Sequence, residues 1–184
     1  MVGKRKLAVC AAMVILAVCA NNLHAEETKR DRVNYFSFGP GWLLAASDDR
    51  TASGFGITAG WNNPHLFTDR LGLGAYLNVA VPFMEVDVGE DPSGIVVSAL
   101  IGPSTIAFQR GRFSVPVLLG YHFNYIYASD MVPWAINMGI GGVADAVFQA
   151  SSRWLIFARV MAAYNFGDGG EFIFMPSLGV GLNF

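Results

Sequence analysis

LGLGAYLNVAVPF, the stretch from Leu71 to Phe83, alternates between two kinds of residue along its whole length. The odd-numbered positions are all apolar, whereas the even-numbered positions include glycine, tyrosine and asparagine. Because successive side chains of a β-strand point to opposite faces of its sheet, this period of two predicts a strand with one uniformly apolar face. The stretch is also longer than the roughly five or six residues of a typical soluble strand.

The same alternation recurs along the chain and predicts eight strands. It is clearest at 113–127, 154–166 and 172–184. The full set of predicted strands is 33–45, 54–61, 71–83, 94–107, 113–127, 134–148, 154–166 and 172–184. Their lengths bracket the roughly 9–11 residues that a tilted strand needs to cross a bilayer.

Residues that favour turns separate these segments. Asn62-Asn63-Pro64 is one such break, and we expect it to end the second strand. The other breaks lie at 47–50, 89–92, 109–112, 129–130, 150–153 and 167–170. Breaks between every pair of successive strands predict an antiparallel up-and-down meander with no helix and no internal domain boundary.

The N-terminus predicts an export signal. Basic Lys4-Arg5-Lys6 is followed by an apolar run at 7–20 and then by Leu23-His24-Ala25. This order is typical of a secretory signal peptide at 1–25, and the apolar run is short for a membrane helix. Lipidation of Cys19 instead of cleavage after Ala25 remains open. Residues 26–32 would form a charged periplasmic tail.

Cleavage changes the chemistry that is available to the mature chain. Both cysteines, Cys10 and Cys19, leave with the signal peptide. The mature protein then has no thiol, which excludes a disulfide framework and a cysteine metal site. No catalytic motif, metal site or cofactor site is apparent, so we expect neither an enzyme nor a cofactor.

Composition favours a membrane barrel over a soluble one. Hydrophobic residues make up 53% of the 184 residues and charged residues 14%, against about 25% charged in soluble domains. Between residues 94 and 127 the only charges are Arg110 and Arg112, both at a turn. Hydrocarbon offers no partner to the backbone of an edge strand, so the sheet must close. We expect Trp61 and Trp154 to lie at strand ends beside one interface, and Trp42 and Trp134 beside the other.

With this pattern, the chain resembles the small bacterial outer-membrane barrels of the OmpW, OmpX and OmpA-barrel type. The resemblance covers 33–184, and its most specific part is the last strand, where Val180, Leu182 and Phe184 alternate with smaller residues. It implies an eight-stranded transmembrane β-barrel in the outer membrane, exposed at the cell surface. It also implies a C-terminal assembly signal at Phe184, Leu182 and Val180. The partners implied are membrane lipids, periplasmic chaperones and the barrel-assembly machinery, and no nucleic acid.

The resemblance also implies which end of the barrel faces outward. With periplasmic termini, the outer loops are 46–52, 84–93, 128–133 and 167–171. Their acids are Asp48, Asp49, Glu85, Asp87, Glu90, Asp91, Asp130, Asp168 and Glu171, and Arg50 is their only base. The inner turns carry Arg70, Arg110, Arg112 and Arg153 against Asp69. An acidic outer rim would attract cations and repel anions.

Two charges lie well inside predicted strands. Asp145 and Arg159 sit on inward faces of two strands joined by the turn at 149–153, and we expect them to pair diagonally across this hairpin. A structural ion pair in the lumen and a gating site both remain open. The other polar residues that we expect in the lumen are His122, Asn124, Asn137, Tyr76 and Asn78.

Inward glycines leave the function open. Gly39, Gly56, Gly74 and Gly179 belong to a set on the first three strands and the last, opposite apolar side chains. They could leave space for a small or hydrophobic solute, or they could allow strands to pack closely. We therefore expect a narrow passive channel or conduit, with a non-conducting structural or surface-interaction (adhesin-like) barrel as the alternative.

Overall fold

The computed structural model describes residues 33–47, 51–85, 94–128, 135–166 and 170–184. The predicted signal peptide and tail lie outside these residues, as do most residues of the predicted outer loops. The strands are β1 (Tyr35–Ala46), β2 (Thr51–Thr68), β3 (Leu71–Glu85), β4 (Gly94–Arg110), β5 (Phe113–Ala128), β6 (Ala135–Gln149), β7 (Trp154–Asn165) and β8 (Glu171–Asn183). No helix that could cross a membrane is present in the part of the chain that the structure describes.

The strands form a closed antiparallel barrel in chain order, with β1 paired to β8. This confirms the predicted eight-stranded up-and-down barrel. The stagger of the strands follows from their register. Stepping from each residue to its register partner on the next strand, starting at Phe36 of β1, leads through Trp61 of β2 and Ile101 of β4 around the barrel. The last step, from β8, reaches β1 at Ala46 and not at Phe36. Because the path does not close on itself, the strands are staggered, and they tilt relative to the barrel axis.

The predicted end of the second strand is wrong. Asn62-Asn63-Pro64 does not form a turn, because β2 continues to Thr68 and Asn62 pairs with Gly74 of β3. A register shift between Asn63 and Thr68 accommodates Pro64, since a bulged residue needs no ladder hydrogen bond. Trp61 therefore lies within β2 and not at its end. Trp154, in contrast, is the first residue of β7.

Three short turns join β2–β3, β4–β5 and β6–β7 at one end of the barrel, here called the turn end. They lie at 69–70, 111–112 and 150–153, and residues 33 and 184 are at the same end. Gly111 has φ 57°, a left-handed conformation that favours glycine. Ser151 Oγ accepts hydrogen bonds from the amides of Arg153 (3.3 Å) and Trp154 (3.0 Å). The opposite end, with the connections after β1, β3, β5 and β7, is here called the loop end.

The outward face of the barrel is apolar, as the alternation predicts. Phe38 is 57% exposed, Leu77 47% and Leu178 64%, although each belongs to a regular strand. Their sequence neighbours Ser37 and Asn78 face the interior and are at most 5% exposed. An apolar surface that surrounds the whole molecule suits lipid, where a charge at the midplane would cost roughly 2–4 kcal/mol. The fold is therefore that of a transmembrane β-barrel.

Candidate functional site

The interior of the barrel contains four levels of side chains from the turn end to the loop end. The turn-side apolar cluster consists of Val33, Tyr35, Val147, Leu155 and Phe157. An ion-pair network around Asp145 and Arg159 follows. The loop-side apolar cluster comes next and consists of Leu43, Tyr76, Ala80, Val96, Leu100, Leu118, Val143, Met161, Ala163, Ile173 and Met175. The histidine network, Ser98, His122, Asn124, Asn165 and Glu171, lies nearest the loops.

Asp145 of β6 and Arg159 of β7 form a buried salt bridge. The register places the two residues directly opposite each other and not diagonally as expected. Arg159 Nε donates to Asp145 Oδ1 at 2.8 Å, and Nη2 donates to Oδ2 at 3.0 Å. Asp145 is 0% exposed and Arg159 2%. This two-pronged geometry is the strong form of an arginine–carboxylate contact.

Further contacts fix the guanidinium of Arg159 on every side. Nη2 donates to Ser37 Oγ at 2.6 Å, and Nη1 donates to Thr58 Oγ1 at 3.4 Å. The guanidinium carbon lies 4.2 Å from the ring centre of Tyr76 and 4.5 Å from that of Phe157. Cation–π attraction of this kind strengthens when the partners are desolvated. Arg159 therefore ties β7 to β1, β2 and β3 across the lumen.

The carboxylate of Asp145 is equally well satisfied. Its Oδ2 accepts hydrogen bonds from the hydroxyls of Tyr35 and Tyr76. Asn62 Nδ2 donates to the same two hydroxyls, at 3.3 Å for Tyr35 and 3.0 Å for Tyr76. Ser104 Oγ donates to Asn62 Oδ1 at 2.6 Å, which adds β4 to the network. Chemically, the arrangement holds two opposite charges in fixed positions.

Sequence reasoning located the two charges and Tyr76, but it missed Tyr35, Ser37, Asn62 and Ser104. These residues lie on β1, β2 and β4, far in the sequence from Asp145 and Arg159, and the closure and stagger of the barrel bring them to the level of the ion pair. The available signal was their position on the non-apolar face of each strand. For Asn62 that signal was hidden, because the residue was assigned to a turn.

The histidine network occupies the loop end of the lumen. His122 Nδ1 lies 2.7 Å from Asn165 Oδ1 and therefore carries the ring proton in this contact. Asn165 Nδ2 and Asn124 Nδ2 both donate to Glu171 Oε2, at 2.8 Å and 3.1 Å. Ser98 Oγ donates to Asn124 Oδ1 at 3.0 Å. His122 is thus held by an amide, and the network forms a polar layer above the loop-side apolar cluster.

The structure places the remaining predicted lumen residues inside as well. Asn78 is buried, and its Nδ2 lies 3.2 Å from Met161 Sδ. Asn137 is half-buried beside Asn124, its register partner on β5. Within the described ranges, no group of three or more His, Cys, Asp or Glu side chains is placed to hold a metal ion.

Large apolar side chains occupy the space above the inward glycines. A Cβ atom added to Gly74 would lie 2.6 Å from Leu118 Cδ1, and one added to Gly181 would lie 2.6 Å from Leu155 Cδ1. At Gly39, an added Cβ would overlap the backbone of Leu178 and Gly179 on β8. The glycines therefore allow close strand approach and receive side chains of nearby strands, Leu155 of the adjacent β7 and Leu118 of β5.

The loop-side apolar cluster leaves no exposed bore at its level. Leu43 and Ile173 are 0% exposed, and Leu100, Leu118 and Met175 are 1% exposed. Side chains that line a water-filled channel would expose part of their surface to that water. The ion-pair network lies directly beneath and is buried to the same degree.

The predicted assembly signal lies on the outer surface at the turn end. Phe184 is 58% exposed, Leu182 47% and Val180 50%. The ring of Phe184 lies 5.1 Å from that of Phe36, and its amide donates to Asn34 O at 3.0 Å. Of the predicted acidic loop residues, Glu85 ends β3, whereas Asp87, Glu90 and Asp91 lie outside the described residues.

Solved structures of small surface barrels share this architecture. Neisserial surface protein A matches with a TM-score of 0.64 at 12% identity, over 82% of this chain and 97% of its own. The fold is that of a small outer-membrane barrel. Ail of Yersinia pestis, solved with the heparin analogue sucrose octasulfate, matches at 0.55 and 15% identity, over 84% of this chain and 100% of its own. OprG of Pseudomonas aeruginosa matches at 0.52 and 12% identity, over 83% and 97%.

No family model and no curated protein match the sequence. At identities of 12% to 15%, the likeness to the solved structures concerns the fold alone.

Proposed function

We propose that the mature protein is a bacterial outer-membrane barrel with a closed lumen, which acts as a non-conducting surface protein. The observation that carries this proposal is the burial of the interior at two successive levels. Asp145 and Arg159 hold each other in fixed positions, and the loop-side apolar cluster packs above them. An eight-stranded barrel is just wide enough to be filled by its own side chains.

A channel would require both levels to move. Opening at the lower level would separate Arg159 from its carboxylate, its two hydroxyl partners and its two aromatic rings. Leaving a buried charge without its partner costs roughly 3–5 kcal/mol. An open state avoids this cost only when water reaches both charges, and in the closed barrel they are buried beneath the loop-side apolar cluster.

Conductance of the refolded mature protein in planar bilayers tests the proposal. We expect the baseline conductance of the empty bilayer, and no uptake of small solutes by proteoliposomes. Discrete current steps would contradict the proposal if Gly74→Leu, which adds bulk to the lumen, reduced them. Ala75→Leu is the matched control, because the neighbouring residue faces outward and its substitution should leave any current through the lumen unchanged.

The outer loops supply the surface chemistry of this proposal. Their acids, among them Glu85, Asp87, Glu90 and Asp91, favour cationic partners. A polyanion of the kind bound to Ail would be repelled by such loops. We expect a labelled oligolysine peptide to bind proteoliposomes at low salt, and binding to fall when these four acids are neutralised. Unchanged binding after neutralisation would contradict this assignment.

A further inference from the structure

The turn end of the barrel carries a basic rim. Among the described residues of the three turns it consists of Arg70, Arg110, Arg112 and Arg153, all exposed, against the single acid Asp69. In the described part of the chain, the salt bridge of the barrel joins Arg159 and Asp145, and the rim arginines are in no ion pair. Four like charges at the three turns of one end form a positive surface that is available to a partner.

Each rim arginine adjoins exposed apolar side chains on the outward face. Arg153 precedes Trp154, which is 53% exposed, and Arg70 precedes Leu71, which is 44% exposed. Arg110 and Arg112 flank the turn between Phe108 and Phe113, whose rings are 6.1 Å apart. Aromatic residues of membrane barrels concentrate at the interface, so the arginines reach the depth at which lipid headgroups lie.

We propose that the basic rim binds the headgroups of anionic phospholipids in the leaflet at the turn end. The guanidinium forms two-pronged hydrogen bonds to phosphate, and an anionic bilayer surface attracts the basic residues that lie near it. The adjoining Trp154, Leu71, Phe108 and Phe113 would contact the acyl chains of the same lipids. This inference rests on the membrane location in the proposed function.

Quenching of Trp154 by brominated lipids tests this proposal. In a full-length mature variant, Trp42, Trp61 and Trp134 are replaced by phenylalanine, so that only the rim tryptophan fluoresces. The protein is refolded into mixtures of phosphatidylcholine and phosphatidylglycerol in which one or the other is brominated. We expect phosphatidylglycerol to be enriched beside Trp154 by roughly threefold or more at low salt, and less at 0.5 M salt, because screening weakens the attraction.

Replacing all four arginines with glutamine should reduce the enrichment to about one, whereas Asp69→Asn should preserve or increase it. Heat-modifiable gel migration checks that each variant is folded, and Arg153→Gln alone provides a milder test beside the reporter. Equal quenching by the two lipids, or enrichment that survives the fourfold substitution, would overturn the proposal. The proposal would also be overturned if inorganic phosphate abolished the enrichment and chloride at the same ionic strength did not. That result would indicate a site for free phosphate.

If no brominated lipid quenches Trp154, the protein is not inserted and the proposed membrane location fails. If both lipids quench it equally, only the preference for anionic lipid fails.

Discussion

At the scale of single residues, the barrel depends on Asp145 and Arg159, whose buried side-chain polar atoms all have hydrogen-bond partners. Arg159 has the most contacts, because its guanidinium joins Asp145, Ser37 and Thr58 and lies between two aromatic rings. A buried ion pair adds little net stability compared with a well-packed apolar pair. Removing one of its charges is nevertheless strongly destabilising, because the other charge then stays buried without a partner.

We therefore expect Arg159→Met to destabilise the barrel by roughly 3–5 kcal/mol, since Asp145 would keep a buried charge without its partner. The double variant with Asp145→Leu should recover most of that loss. Reversible urea unfolding in lipid vesicles measures both. In vesicles of zwitterionic phosphatidylcholine, which offer the basic rim no anionic headgroup, Arg153→Met at an exposed turn is the control and should change stability by less than about 0.5 kcal/mol. A single variant as stable as the wild type would contradict the role of the pair.

The inward glycines differ in the atoms that an added methyl group would meet. Some face the backbone of a neighbouring strand and others face a flexible side chain, and substitution to alanine should destabilise the first kind more. At Gly39 the added methyl group would meet the backbone of β8, which cannot move without disrupting barrel closure. At Gly74 it would meet Leu118 Cδ1, the end of a flexible side chain. We expect Gly39→Ala to cost about 1–3 kcal/mol and Gly74→Ala less than about 1 kcal/mol in the same unfolding assay. The reverse order would contradict this account.

At the scale of strands, period-two alternation, clear in four segments and weaker in four, identified all eight elements together with the turn residues between them. It worked because the apolar face of each strand lies on the outward surface of the barrel, where few charges interrupt the pattern. It failed at the end of β2, where Asn62-Asn63-Pro64 has the composition of a turn but continues the strand through a register shift. Local composition does not show that Asn62 has buried partners on β1, β3 and β4.

The contacts of the lumen were less predictable than the strands. The sequence indicated which residues face inward and that Asp145 and Arg159 share a hairpin. It did not indicate their direct register, nor which side chains from distant strands meet them. Those contacts depend on the stagger of the closed barrel, which is a property of all eight strands together.

The last strand allows a test that separates assembly from stability. Phe184 is exposed on the outer surface and contacts Phe36, so its side chain adds little to the interior. We expect Phe184→Ala to reduce the folded fraction in bacterial outer membranes several-fold while leaving refolding of the purified chain into detergent nearly unchanged. Heat-modifiable gel migration measures both fractions. Leu71→Ala, another exposed apolar substitution at the turn end, is the control. Equal losses in cells and in detergent would indicate a stability effect, and the assembly signal would be rejected.

At the scale of the whole molecule, the charges divide between the two ends. The exposed arginines in the described residues lie at the turn end, whereas Glu171 lies at the loop end with the acids of the loop sequences. Between the ends, the outward surface is apolar and the lumen is filled. This distribution suits a protein that spans a bilayer, seals its own interior and presents different electrostatic surfaces on the two sides.

A barrel that spans the membrane must bring its outward apolar rows into contact with lipid. Nitroxide labels are placed at Leu77 and Leu119, two outward positions on β3 and β5, in protein reconstituted into vesicles. Relaxation of a label by oxygen reports lipid around it, and relaxation by a water-soluble nickel chelate reports water. A label at Ser151, at an exposed turn, provides the aqueous reference. If these rows contact lipid, we expect strong relaxation by oxygen and little by nickel at Leu77 and Leu119. Relaxation by nickel at these two positions as strong as at Ser151 would contradict lipid contact.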